Sequence, residues 1–291
     1  MEAADENDTR PFESQFQTTP RSHTHRGSVV TAPHVLAAIE EENYDTNHPN
    51  LGTALIINQV NFSTMGKREG SDKDRDCISA VLQRIGFNVR VFDDLDKIKL
   101  LTHLDEVAHE DHSKNDCLVV VVMTHGDKDV LYANDKSYPI GNLWEPFLGD
   151  ACPTLRGKPK LFFVQACRGN SFDKGVKLSK MVTDTVDARS SADTLLYTIP
   201  IMADLLVMYS TYDGHYSWRN PINGSWFIQS LSNELEQNAF GKELLQLLTT
   251  VTRRVAYQYQ SNVPGNSEMD AKKQIPCIVS MLTKAFYFKP K

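Results

Sequence analysis

Short apolar runs alternate with stretches of helical periodicity from about Gly52 onward, and this alternation limits the fold more than any other feature. The run 117–123 is nearly all Val and Leu, which is typical of a central parallel strand buried on both faces. The predicted strands are 54–57, 87–92, 117–123, 160–167, 205–209 and 274–282. This β-α-β-α order predicts an α/β fold, a doubly wound and mostly parallel six-stranded sheet with helices on both faces.

Four helices are predicted between and after these strands. Ser71 or Asp72 caps the first helix and Gly86 ends it, because glycine readily takes the left-handed conformation at a helix end. A later helix starts near Ser225 and Trp226. The first, second and last helices each have one apolar face. Their apolar positions are, in that order, Ile78, Val81, Leu82 and Ile85; Ile98, Leu101, Leu104 and Ala108; and Leu244, Leu247, Leu248, Val251 and Val255.

Composition and charge narrow the functional classes. The 291 residues are 41% hydrophobic, which gives ample core for one large α/β unit or two small ones. A net charge of -6 without a basic block argues against a nucleic-acid partner. No run approaches the roughly 18–20 apolar residues of a membrane span. The five cysteines are widely spaced, so neither a disulfide scaffold nor a zinc site is indicated, and a reducing cytoplasm is predicted.

Two polar segments interrupt this pattern. Residues 1–48 are rich in Thr, Ser, His, Asp and Glu, which predicts a short disordered leader without the apolar core of a signal peptide. Residues 175–197 carry Thr, Ser, Asp and Lys without an apolar period, which predicts an exposed linker. The linker divides the folded part of the chain into two segments.

A thiol and an imidazole follow two neighbouring predicted strands. His125 lies at the end of the run 117–123 and Cys167 at the end of 160–167, and the carboxyl ends of parallel strands meet at one edge. A thiolate with a nearby imidazole is the minimum for acyl transfer. Gly126 and Cys167 offer backbone N–H groups for an oxyanion hole. Taken alone, His125 could be a hydrogen-bonded core histidine and Cys167 an inert buried thiol. The placement of both residues at neighbouring strand ends favours catalysis.

Several strings then match one known family. Gln165-Ala166-Cys167-Arg168-Gly169 is a local signature of the caspases. The other matching strings are Thr124-His125-Gly126, Tyr216-Ser217-Trp218-Arg219-Asn220, Gly224-Ser225-Trp226-Phe227 and Lys272-Lys273-Gln274-Ile275-Pro276-Cys277. From about Gly52 to its end the chain resembles the caspases, and within them the effector caspases with short leaders. The resemblance implies a caspase-like fold, cleavage after aspartate in apoptosis, and no metal or organic cofactor.

The resemblance assigns the catalytic roles. It makes Cys167 the nucleophile and His125 the general acid–base that protonates the leaving amine. A backbone carbonyl near Gly66 would orient the imidazole, in place of an acidic third residue. Thr124 stands where many relatives carry serine, so the hydroxyl is retained.

The resemblance also assigns the substrate-binding residues. Those around the substrate aspartate are Arg68, Gln165 and Arg219. Two guanidiniums suit this carboxylate because each can bind it through two parallel hydrogen bonds. The residues of the outer subsites are Tyr216, Ser217, Trp218, Asn220 and Trp226, with aromatic walls and with Asn220 receiving an acidic residue three positions before the cleaved aspartate. Met269 replaces an aromatic residue of some relatives, and Asp-x-x-Asp is the predicted substrate.

The chain carries three candidate cleavage positions of its own. Asp187 ends an Asp-x-x-Asp string inside the predicted linker, with Asp193 as the alternative, and Asp8 ends another in the leader. The hypothesis is a zymogen that is cut after aspartate into a large catalytic subunit, 49–187, and a small subunit, 188–291. The competing explanation is that aspartate is common in disordered segments.

The resemblance implies several partners. They are protein substrates with exposed Asp-x-x-Asp sites, an upstream initiator caspase, and a second copy of the cleaved chain that pairs through 274–282 across a two-fold axis. A cut after Asp8 would expose Thr9-Arg10-Pro11-Phe12, which is similar to the tetrapeptide captured by inhibitor-of-apoptosis proteins, although that motif usually begins with alanine. Neither nucleic acid nor a membrane is expected as a partner, and the predicted location is cytoplasmic.

Three other functions compete with this hypothesis. A catalytically silent, caspase-like regulator is disfavoured because Cys167, His125, Arg68 and Arg219 are all present. A metacaspase-like peptidase of basic specificity would need acidic residues where this chain offers arginines. An adaptor that acts only through its leader would need a folded leader.

Overall fold

Strands and helices alternate from Asn50 to Ser280 in the computed structural model, which describes residues 41–175 and 200–291. In chain order the elements are β1 (Asn50–Asn58), α1 (Ser71–Ile85), β2 (Asn88–Asp93), α2 (Lys97–Ala108), β3 (Asn115–Met123), β4 (Gly126–Asp127), β5 (Val130–Tyr132), β6 (Ser137–Pro139), β7 (Lys160–Gln165), β8 (Leu205–Tyr209), β9 (Arg219–Asn220), β10 (Gly224–Ser225), α3 (Trp226–Asn238), α4 (Leu244–Gln258) and β11 (Cys277–Ser280). Three short 3-10 helices, Ile140–Leu143, Glu145–Phe147 and Pro153–Leu155, lie between β6 and β7.

Six of the strands form one sheet in the order β11-β8-β7-β3-β1-β2. All neighbours are parallel except β11, which runs antiparallel to β8. The predicted doubly wound, mostly parallel sheet of six strands is therefore confirmed. The sequence did not indicate the small antiparallel sheet of β4, β5 and β6 or the hairpin of β9 and β10, because strands of two or three residues carry no measurable alternation.

The sheet has a hydrophobic layer on each face. One layer joins β-strand side chains to α1, α3 and α4, and the other joins them to α2 and the 3-10 helices. Along β3, Val119 and Val121 face the first layer, whereas Val120 and Val122 face the second. Every residue of β3 is buried, which explains why this strand has no polar alternation in the sequence.

The helices follow their predicted positions, with two differences. Helix α1 spans Ser71–Ile85, and its C-cap Gly86 adopts the left-handed conformation with φ 110°. The prediction that Ser71 or Asp72 caps this helix is wrong: the N-cap is Gly70, without a side-chain hydrogen bond, because Ser71 Oγ is bonded to Arg68 and Asn58. In α2 the buried residues are Leu100, Leu104, Val107 and Ala108, whereas Ile98 is 76% exposed. The expectation that Ile98 marks the apolar face is therefore wrong, because the helix turns Leu100 and Val107 toward the sheet.

Residues 41–48, which the sequence analysis placed at the end of the leader, lie against the folded unit. Tyr44 is buried, and its hydroxyl donates a hydrogen bond of 2.7 Å to Asp204. The Tyr44 backbone N–H donates to the carbonyl oxygen of Ala285 at 3.0 Å, and its ring meets Phe286 edge-on. Residues 41–48 therefore differ from the predicted disordered leader, because Tyr44 packs and hydrogen-bonds against the folded unit.

Residues 1–40 and 176–199 lie outside the described residues, and with them the predicted cleavage positions Asp8, Asp187 and Asp193. Within the described ranges, no helix is long and apolar enough to cross a membrane.

Candidate active site

Parallel pairing of β3 and β7 brings the predicted thiol and imidazole to one edge of the sheet. Met123 and Gln165 are partners in the register of the two strands, and the Thr124 N–H donates to the Gln165 carbonyl oxygen at 3.1 Å. His125 and Cys167 each follow two residues beyond this pair. Both line the same cleft at the carboxyl edge, as the sequence predicted for the ends of adjacent parallel strands.

The imidazole of His125 is held by a backbone carbonyl and an aromatic ring. Its Nε2 lies 2.8 Å from the carbonyl oxygen of Gly66. A carbonyl only accepts, so Nε2 carries a proton and Nδ1 of the neutral ring is free to act as a base. The ring of Phe62 lies 4.7 Å from the imidazole, between centroids. Burial lowers the pKa of His125, and the charges of Arg68 and Arg219 add to this effect, while the Gly66 bond opposes it.

The environment of the Cys167 thiol favours its protonated form. Burial raises its pKa, although the bond to the Ser217 carbonyl and the charges of Arg68 and Arg219 act in the opposite direction. The Sγ–H donates to the Ser217 carbonyl oxygen at 3.9 Å. These pKa shifts favour a neutral thiol and a neutral imidazole in the same cleft, which is a pair that can act together as nucleophile and base.

Gly126 lies against the Cys167 loop so closely that it has no room for a side chain. A Cβ at this position would lie 2.6 Å from the Cys167 carbonyl oxygen and 2.9 Å from the Ala166 Cβ. A side chain at this position would therefore displace the loop that carries Cys167, whose backbone N–H is the other predicted oxyanion donor.

The cleft beside Cys167 contains two guanidinium groups. Its lining is Arg68, Thr124, His125, Gln165, Ala166, Cys167, Tyr216, Ser217, Trp218, Arg219 and Met269. Arg68 is 1% exposed and donates from Nη1 to the Gln59 carbonyl oxygen and to Ser71 Oγ, at 3.1 and 2.6 Å. Within the described residues its Nε has no hydrogen-bond partner. Arg219 donates from Nε to the Glu69 carbonyl oxygen at 2.8 Å.

Like charge and burial make this pair of guanidiniums a strong site for an anion. Burial and the neighbouring charge of Arg219 lower the pKa of Arg68 to about 9, and burial also lowers that of Arg219. Gln165 lines the same cleft, and its Nε2 donates to Ser217 Oγ at 2.9 Å. A carboxylate in this place would relieve the repulsion and accept from the unpaired donor.

The outer subsite residues divide into two groups. Tyr216, Ser217, Trp218 and Met269 line the cleft, whereas Asn220 and Trp226 do not. Trp226 stacks between the rings of Trp218 and Tyr259, with centroids 5.8 and 5.4 Å away. The side-chain oxygen of Asn220 accepts from the backbone N–H groups of Ile222 and Asn223 in the β9–β10 turn. The structure thus gives these two residues supporting contacts behind the cleft.

Sequence reasoning missed the residues that support the side chains lining the cleft. Ser71 accepts from Arg68 and donates to the side-chain oxygen of Asn58 at 2.6 Å. Asp74 is completely buried next to the same region. Ser71 was noticed only as a candidate helix cap, and neither Asp74 nor Phe62 belongs to a motif. In the ranges 41–175 and 200–291, no three His, Cys, Asp or Glu side chains gather as a metal site.

Comparisons with known proteins all identify one family. A family model described as the caspase domain matches residues 51–287. Caspase-1 of Spodoptera frugiperda is 43% identical over 250 residues, which cover 85% of this chain and 82% of that protein. Caspase drICE of Drosophila melanogaster is 42% identical over 250 residues, covering 85% and 73% of the two chains. The crystal structure of Caspase-1 from Spodoptera frugiperda matches with a TM-score of 0.80 and 41% identity, covering 87% of this chain and 97% of that one.

Proposed function

Because the chain belongs to the caspase family and is an aspartate-directed cysteine endopeptidase of apoptosis, we propose that Cys167 is its nucleophile and His125 its general acid–base. The observation that carries this proposal is the junction of β3 and β7, where a thiol and an imidazole with a free Nδ1 line one cleft. The silent-regulator alternative would require one of these groups to be missing.

The chemistry proceeds in two halves. The Cys167 thiol gives its proton to His125 Nδ1 as the sulfur attacks the carbonyl carbon of the scissile bond. The backbone N–H groups of Gly126 and Cys167 donate to the resulting oxyanion, and each such donor contributes a factor of roughly 10²–10³ to the rate. The His125 imidazolium then protonates the amine as the C–N bond breaks. Water, deprotonated by His125, next hydrolyses the thioester and restores the thiol.

Specificity for aspartate arises from the specificity pocket, which we define as Arg68, Gln165 and Arg219. The two guanidiniums present fixed positive charge, and Arg68 Nε lacks another partner within the described residues. A substrate carboxylate can accept from both arginines at once. A basic side chain would be repelled, which disfavours the metacaspase-like alternative.

The outer part of the cleft supports a preference for Asp-x-x-Asp. Tyr216 and Trp218 form an apolar wall, with ring centroids 5.2 Å apart, and Met269 packs against the same cluster and also lines the cleft. This leaves room for small apolar residues between the two aspartates. Asn220 is the last residue of β9 and lies outside the cleft lining, so an acidic residue upstream would have to extend beyond the cleft to accept from its side-chain nitrogen.

Zymogen activation is typical of the family, and the proposed cuts follow Asp187 or Asp193 in the linker 175–197 and Asp8 in the leader. The products would be a large subunit, 49–187, with His125 and Cys167, and a small subunit, 188–291, with Arg219. Intact-mass analysis of the activated protein should show a cut within 170–200 in wild type and an uncut chain in Cys167→Ala. Activated wild type that is uncut in this range would contradict the proposal.

Membership of the family indicates protein substrates and self-association. The proposed contact between two cleaved copies uses the strand region 274–282. The proposed regulators are an upstream initiator caspase and inhibitor-of-apoptosis proteins, and the proposed location is the cytoplasm. A binding assay with a peptide that begins at Thr9 tests the inhibitor contact, and no signal at high concentration would exclude it.

One assay separates the competing functions. Turnover of a fluorogenic Asp-x-x-Asp peptide is measured for the cleaved wild type, Cys167→Ala, Arg219→Ala and, as a control, the exposed Arg156→Ala. Cys167→Ala should be inactive, and Arg219→Ala should lose at least about a hundredfold in kcat/KM, because an uncompensated charge of a buried pair costs roughly 3–5 kcal/mol. Arg156→Ala should resemble wild type. No turnover by cleaved wild type would favour a scaffold, and normal turnover by Arg219→Ala would refute the specificity pocket.

A further inference from the structure

A buried carboxylate joins the two parts of the chain that supply the arginines. Asp74 is 0% exposed and lies in the first turn of α1, six residues after Arg68. Both of its oxygens accept from the backbone N–H of Ser225, at 2.9 Å each, and its Oδ1 also accepts from Gln229 Nε2 at 2.9 Å. All of these donors belong to the segment after the linker. The contact therefore crosses the boundary between the proposed subunits.

The backbone group that Asp74 holds is the strand partner of Arg219. In the β9–β10 hairpin Ser225 pairs directly with Arg219. Gly224 allows the carboxylate to reach the hairpin, since a Cβ there would lie 2.3 Å from Asp74 Oδ1. A second link runs from Arg219 Nε to the Glu69 carbonyl oxygen, next to Arg68. The position of Arg219 relative to Arg68 thus depends on contacts with the short segment 68–74.

The charge of Asp74 also suits this place. Its interaction raises the pKa of both Arg219 and Arg68, against the lowering by burial that is the larger cause in each. Two neighbouring cations, of which Arg68 is buried and Arg219 half-buried, repel each other and separate unless an anion or a rigid frame holds them. Asp74 supplies both functions, and neither it nor its partners Ser225 and Gln229 line the cleft.

We propose that Asp74 is a positioning residue of the specificity pocket, whose buried carboxylate ties α1 to the β9–β10 hairpin and so fixes Arg219 against Arg68. This inference rests on the proposed function of the arginine pair. It predicts that Asp74 affects recognition of the substrate aspartate while the reactivity of the Cys167 thiol stays unchanged.

Two inactivators of Cys167 test this role of Asp74. The sample is the protein cut in its linker, with both proposed subunits present. An Asp-x-x-Asp chloromethyl ketone, which alkylates the sulfur with loss of chloride, must occupy the specificity pocket, whereas iodoacetamide is neutral, loses iodide and needs only the thiol. Asp74→Ala should slow inactivation by the ketone by about tenfold to a hundredfold, because small misplacements of positioning groups cost up to 10²-fold. The iodoacetamide rate should stay near wild type. Asp74→Asn keeps an oxygen for the Ser225 N–H and should lose less.

Glu234→Gln is the matched control. Glu234 is also 0% exposed, but it contacts Lys242 and Arg254 far along α3 and α4. It should leave the ratio of the two rates unchanged. If Asp74→Ala is not folded by circular dichroism, Asp74→Asn alone decides the question. Two results would overturn the inference. One is an Asp74 variant in which the ketone and iodoacetamide rates fall together, and the other is a folded Asp74 variant in which the ketone rate does not fall.

A double-mutant cycle tests whether Asp74 affects the ketone rate through Arg219. If Asp74 acts through Arg219, then Asp74→Ala should change the ketone rate little in an Arg219→Ala background, whereas independent effects would multiply. Multiplied losses would overturn the inference. If the ketone inactivates Arg219→Ala more slowly than wild type but neither Asp74 variant is slowed, the inference about Asp74 is rejected and the proposed function stands. An unaffected Arg219→Ala would instead reject the proposed function.

Discussion

In the proposed mechanism, the proton that passes between Cys167 and His125 sets the pH range of activity. The active pair carries one proton. Below the pKa of His125 the imidazole binds a second proton and cannot accept one from the thiol. Above the pKa of Cys167 the pair has lost its proton and cannot protonate the leaving amine. The pKa of His125 is lowered from 6.5, mainly by burial, and that of Cys167 is raised from 9.0 for the same reason. The pH profile of kcat/KM should be flat through neutrality, with limbs outside these two values. An acid limb above 6.5 would contradict this.

Two glycines on either side of the imidazole should respond differently to the same added methyl group. In Gly126→Ala the Cβ meets the Cys167 carbonyl oxygen at 2.6 Å, so both oxyanion donors are displaced. We expect kcat to fall by about 10²-fold or more. Gly66→Ala adds a methyl group with nothing within 4 Å and keeps the carbonyl that holds His125, so its kcat should stay near wild type. Equal losses in the two variants would contradict the proposed role of Gly126.

Single residues could be predicted from the sequence only where they belong to a motif. Cys167, His125 and Arg219 stand in strings that resemble a family, and all three line the cleft. Asp74 could not be found in this way, because acidic residues in a first helical turn are common partners of the helix dipole. Its neighbour Asp72 has the same local signal and is more than half exposed. Only the tertiary contact with Ser225 distinguishes the two.

At the scale of the element, the strands were predictable because burial on both faces leaves an unbroken apolar run. Strand β8 lies at the predicted residues, and β1, β3 and β7 differ by a few residues at their ends. The face of α2 was harder to predict. Ile98 and Leu100 are both apolar and only two residues apart, so periodicity alone does not decide which one meets the sheet.

Helix α4 offers a test of how its apolar stripe stabilises the fold. Leu248 is 0% exposed, whereas Leu245 on the same helix is 37% exposed. In a Cys167→Ala background, which prevents self-cleavage, Leu248→Ala should reduce the free energy of unfolding by about 2–5 kcal/mol. Leu245→Ala should change it by about 0.5 kcal/mol or less. Urea unfolding measures both, and similar costs would contradict the predicted stripe.

At the scale of the whole molecule, contacts across the linker hold the proposed catalytic and specificity residues together. Strand β8 pairs with β7 along Lys160–Val164, just before Cys167, and Asp74 accepts a hydrogen bond from Ser225 in the hairpin that carries Arg219. These contacts involve residues on both sides of the linker and do not depend on its continuity. A cut in the linker would therefore leave the sheet and the specificity pocket assembled, which is what activation by cleavage requires.

Self-association through β11 gives the last prediction. Strand β11 lies at one edge of the sheet and β2 at the other, and each carries a partly exposed valine, Val279 and Val91. Across a two-fold axis a lysine at 279 would lie near its own copy, and like charges at a strand edge oppose pairing. In sedimentation experiments Val279→Lys should be monomeric and Val91→Lys should associate like wild type. Dimers of Val279→Lys, or monomers only of Val91→Lys, would place the contact elsewhere.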